Sequence, residues 1–180
     1  KKERNTIDPN KWCGYIVKAG QIAAALIVLA QVIWLFAASN AIRWPLDVYL
    51  QKFIIVPAIG LFVINLLVSS YVRSSRHSLL AKEYISLSLF VVYCLYLSLS
   101  HNHATVLLCS YIIPIFTSTI FSNMKLTRRI FLMSIGSVLL PGVKWFFAGT
   151  LNSDILMEIF TSGFMLVCSY ILAKILIQYG

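Results

Sequence analysis

The chain has 180 residues, of which 59% are hydrophobic and only 12% charged, and its mean hydropathy is +0.84. A soluble domain of this length has too little interior to hide so much apolar surface. The net charge is +9, but the cations fall in short segments between apolar runs and build no basic face. That distribution excludes nucleic acid as a partner and is instead the pattern of membrane topology, with attraction to anionic headgroups.

In chain order, residues 1–19 form a polar, amphipathic lead-in carrying Lys1, Lys2, Arg4, Lys11 and Lys18. About 20 apolar residues span a bilayer core as a helix. Six such runs follow, over residues 20–41, 50–72, 79–100, 104–122, 129–149 and 155–178. None alternates with the period of two that marks a barrel strand, so helices are the way to satisfy the backbone in lipid. The first run is too long, and too far from the start of the sequence, for a cleavable signal peptide. The expected fold is therefore an all-α integral membrane bundle of six transmembrane helices, with residues 20–180 as one domain.

The connections fix the orientation. Arg73 and Arg76 lie between the second and third runs, and Lys125, Arg128 and Arg129 between the fourth and fifth. The alternate connections hold one Arg, two His and two Asp among them. Basic segments stay on the cytoplasmic side, so both termini are expected there. All connections are short, which makes consecutive helices antiparallel neighbours. The opening Lys1-Lys2-Glu3-Arg4 and the stop at Tyr179-Gly180, directly out of an apolar run, suggest a piece of a longer protein.

An ionisable residue inside a transmembrane helix is a functional candidate, because its burial is costly unless it is paired or hydrated. Lys144 on the fifth helix and Glu158 on the sixth sit roughly 6–8 Å below the outer surface at 1.5 Å per residue. Either they pair with one another or both snorkel to the headgroups. Tyr96, His103, Tyr111 and Trp145 share that level. Their convergence describes a pocket for a small or lipophilic ligand in the outer half; the competing reading is an aromatic belt with interhelical hydrogen bonds. Pro57, Pro114 and Pro141 each interrupt a helix's ladder and mark expected kinks. Cys94 and Cys109 are placed at matching depth, but free thiols are the better expectation for all four cysteines. No metal motif, phosphate loop or nucleophile elbow is present, so neither cofactor, metal nor catalytic residue is assigned within the segment.

Two stretches carry a family resemblance. RNTIDPNKWCGYIVKAGQIAAALIVLAQVIW is a polar lead-in running into the first helix, and CSYIIPIFTSTIFSNMKLTRRIFLMSIGSVLL is a Pro-containing helix, a basic turn and the fifth helix. Together they resemble the six-helix, MASE-like N-terminal sensor regions of bacterial diguanylate cyclases, the GGDEF-domain proteins. The likeness covers nearly the whole chain. It implies a homodimeric input domain in the bacterial inner membrane, with a cytoplasmic output domain in the same chain making cyclic di-GMP from GTP. The GGDEF motif is absent from this segment, so no catalytic residue carries over. The same topology also fits the sensor of a histidine kinase, the membrane anchor of a class III adenylyl cyclase, or a small transporter or channel.

Overall fold

A computed structural model describes residues 8–37, 45–100 and 110–179. Among these the chain is all helical, with six helices and no strand. They are α1 (Pro9–Ala37), α2 (Leu46–Arg73), α3 (Leu79–Ser100), α4 (Ile112–Phe121), α5 (Met124–Phe147) and α6 (Ser153–Tyr179). All but α4 are long and apolar enough to cross a membrane. The first part of the run expected at 104–122, with His103 and Cys109, lies outside the described residues.

α1 begins well before the apolar run expected from residue 20, and its start has a local cause. Asp8 accepts the backbone N–H of Asn10 on its side chain (3.0 Å) and Pro9 occupies the first helical position, where it has no bond to lose. At 1.5 Å per residue the 29 residues of α1 reach about 44 Å, more than the ~30 Å hydrocarbon core. Part of the lead-in thus continues the helix beyond the membrane. Its buried positions, Cys13, Ile16, Val17 and Gly20, follow the three-and-four spacing of one helical face.

α2 widens into a π-helical stretch over Leu50–Ile55, just before Pro57. Proline cannot donate to the carbonyl four residues back, and a wider turn is one way for a helix to absorb that loss. The other two prolines act differently. Pro114 falls in the first turn of α4, where its missing N–H removes no intrahelical bond, and α5 runs through Pro141 without ending.

The turn into α5 is capped by Asn123, whose Oδ1 accepts from the backbone N–H groups of Lys125 (3.1 Å) and Leu126 (3.3 Å). This cap starts α5 at Met124, so the basic residues Lys125, Arg128 and Arg129 belong to its first turns. At the other end, Gly149 with φ +65° turns the chain towards α6. There Asn152 Oδ1 accepts the N–H of Ile155 at 2.9 Å.

α3 is the centre of the bundle. It packs against α1, α2, α4 and α5, while α6 lies on α4 and α5. Burial on nearly every side of α3 includes Ser86, Ser88 and Ser98. Their hydroxyls donate to carbonyls three or four residues back on the same helix, which makes them cheap to bury. The outside is the reverse. Phe36, Phe62, Phe147, Met157 and Phe160 are each at least 66% exposed, far more apolar surface than a protein in water presents. A small-residue interior under an apolar exterior is the packing of a multi-pass membrane protein.

Candidate functional site

The end of the bundle where α5 turns into α6 holds five of the six residues singled out from the sequence; the sixth, His103, lies outside the described residues. Three of the five donate a hydrogen bond to a backbone carbonyl of another part of the chain. Tyr96 on α3 donates its hydroxyl to Val56 O of α2 at 2.8 Å. Lys144 on α5 donates its ammonium to Leu99 O, in the last turn of α3, at 2.6 Å. Tyr111, at the entry to α4, donates to Ser137 O of α5 at 3.4 Å.

Each tie has a local explanation. The carbonyls in the final turn of a helix have no intrahelical partner and carry the negative end of its dipole. A cation at Leu99 O answers both. On α2, Gly60 allows the Tyr96 ring to lie against the backbone: a Cβ there would collide with the ring and hydroxyl. The phenol reaches the carbonyl because this position has no side chain.

Tyr111 is fully buried, in one apolar cluster with Cys94, Val138 and Trp145. It fills the core between these side chains. Trp145 is only 3% exposed, and its Nε1–H has no acceptor among the described residues. A buried donor left unmatched costs about 1–3 kcal/mol, so it is a standing attraction for any acceptor that reaches it. Glu158 is half-buried on the second turn of α6 and is engaged with a partner. Cys94 is a free thiol.

A second polar pair ties α2 to α3 deeper in the bundle. Asn65 Nδ2 donates to the Tyr93 hydroxyl, and that hydroxyl donates onward to Leu61 O at 3.4 Å. Asn65 is not among the residues that the sequence singles out by charge or aromatic character. Its signal was nonetheless present, since an amide in the middle of a transmembrane run is costly unless bonded.

Among the described residues, three grooves on the flanks of the bundle stand out. One of about 840 Å³ lies between α1 and α2. Two more, of about 730 Å³ and 510 Å³, follow α5 and α6 and are almost wholly apolar. None of Tyr96, Tyr111, Lys144, Trp145 and Glu158 lines any of these three. At the α5–α6 end the arrangement grips: donors on three elements hold carbonyls on their neighbours. Among the described residues no group of His, Cys, Asp and Glu is placed to hold a metal ion.

No family model, curated protein or solved structure matches the chain.

Proposed function

We propose that this chain is the membrane-embedded input and dimerisation domain of a signalling protein in the bacterial cytoplasmic membrane. In this reading both termini are cytoplasmic, and the output domain in the same chain is a diguanylate cyclase. The resemblance described above supports the choice of output. The observation that carries the input role is the set of interhelical ties around α3, where Tyr96 and Lys144 each hold a backbone carbonyl across a helix boundary.

A small ligand with acceptor oxygens competes for those same donors and offers an acceptor to Trp145 Nε1. Binding by exchange of ties loosens α3 from α2 or α5, whereas the ligand-free form keeps them. The difference in affinity between the two arrangements is what shifts their populations. α6, which lies on α4 and α5, moves with that repacking and changes the separation of two cyclase domains that must face one another across two bound GTP. The codons that follow Gly180 test the output: a GGDEF-type cyclase domain is expected, and a kinase, another cyclase or no further domain overturns it. Solute transport by the chain alone in liposomes would overturn the input role.

A further inference from the structure

Two amides deep in the first two helices are satisfied within the chain. Gln31 Oε1 accepts from the Tyr49 hydroxyl at 3.3 Å, and Asn65 Nδ2 donates to the Tyr93 hydroxyl. Gln21 on α1 differs from both: its side chain is exposed and bonds to no described residue. The depth of Gln21 follows from its neighbour. Gly20 lies against Leu89 and Tyr93, and Leu89 is about 15 Å from the start of α3, a helix of 22 residues and thus about 33 Å. Gln21 therefore stands near the middle of the bundle's thickness, away from water and headgroups at either end. An amide left in hydrocarbon without a hydrogen bond is unfavourable.

The amide sits on a face suited to another helix. Gln21, Ala24, Ala25 and Val28 follow the three-and-four spacing of one side of α1 and line the groove with α2, to which Ala58 and Ser69 contribute from the other wall. Small side chains let helix backbones approach closely in a membrane, and polar ones join helices by hydrogen bonds. Acyl chains can fill such a groove but give the amide neither a donor nor an acceptor. A second glutamine gives both, since each amide carries two N–H donors and an accepting oxygen. About a two-fold axis along the membrane normal, the same residue of two copies meets itself at the same depth and bonds reciprocally. The apolar grooves along α5 and α6 make no such demand, because lipid alone covers them.

We propose that the face of α1 around Gln21 is where a second copy of this chain docks, α1 against α1, with the two Gln21 amides joined across the axis. This rests on the reading of the chain as a dimerisation domain and assigns the surface that does it. The flank formed by α5 and α6 then stays in contact with lipid.

The test uses the full chain in lipid vesicles. With the native cysteines replaced, Gln21→Cys should give a disulfide-linked dimer on oxidation, whereas Phe160→Cys, at an exposed position of α6, should not. Energy transfer between labelled copies over a range of lipid dilutions gives the dimer constant. Gln21→Leu should lower that constant about tenfold, the loss of two interhelical hydrogen bonds of average strength. Position 21 is exposed and leucine suits lipid, so each copy keeps its fold. Cross-linking at Phe160→Cys and not at Gln21→Cys, or a dimer constant unaltered by Gln21→Leu, would overturn this surface and leave the dimerisation role standing. Chains that stay monomeric at every dilution would overturn both.

Discussion

The Tyr96 hydroxyl donates to Val56 O at 2.8 Å with its ring lying against Gly60, so a residue without a side chain on α2 is what lets a phenol on α3 reach the neighbouring backbone. Val56 directly follows the π-helical stretch Leu50–Ile55 and precedes Pro57, so the tie is made where the α2 backbone is least regular. It is the contact that most directly links helix irregularity to helix pairing in this bundle.

Tyr96→Phe keeps the ring and removes the bond, and is expected to lower stability by about 0.5–1.5 kcal/mol. Gly60→Ala forces a methyl into the ring and should cost more, about 1–3 kcal/mol. Combining Gly60→Ala with Tyr96→Ala should cost less than the sum, because the clash is gone. Unfolding of the unaltered protein, Gly60→Ala, Tyr96→Ala and the double variant in detergent measures this coupling, and strict additivity would contradict the contact.

The Asn65–Tyr93 pair should couple energetically. Asn65→Ala and Tyr93→Phe are each destabilising, and the double mutant should fall short of their sum by about 0.6 kcal/mol, the average for interhelical hydrogen bonds in membrane proteins. A coupling energy of zero in that cycle would mean that the two side chains do not support one another.

How much of this was legible in the sequence depends on which physical signal carries it. Length and hydropathy locate helices, because a bilayer imposes its thickness on any span. Helix ends are set by short polar motifs, and two of these were readable but outweighed by hydropathy. Asp8-Pro9 starts α1 before its apolar run, and Asn123 starts α5 before its own. The facing of residues was much less legible. In water an amphipathic stripe tells inside from outside, but here lipid is as apolar as the core. The depth of Tyr111 is legible from its place in the run, whereas its burial against Cys94, Val138 and Trp145 is not. The ties of Tyr96 and Lys144 end on backbone carbonyls, which no side-chain pattern reveals.

The turn between α4 and α5 gives opposed signs at adjacent positions. Asn123→Ala removes the cap on Lys125 and Leu126 and should destabilise by about 1 kcal/mol. Ser122 has φ +49°, a left-handed conformation that glycine adopts without steric cost. Ser122→Gly should therefore leave stability unchanged or raise it slightly, since the strain relieved is set against a more flexible unfolded chain. Thermal unfolding of both variants checks the turn; a large loss for Ser122→Gly would contradict its geometry.

Orientation is open to direct labelling. With the native cysteines replaced, Ser75→Cys in the turn after α2 should react with a membrane-impermeant thiol reagent only when cells are opened. Thr150→Cys in the turn after α5 should react on intact cells. Reaction of both from the same side would contradict the alternation of the basic segments.

The role proposed for the ties around α3 is tested most directly by cyclic di-GMP levels in cells expressing the full-length protein with Lys144→Ala or Glu158→Ala, at matched amounts in the membrane. Releasing Leu99 O from Lys144 should shift the level several-fold and change or abolish its response to inducing conditions. Levels indistinguishable from the unaltered protein for both variants under every condition, or no cyclic di-GMP at all, would contradict it.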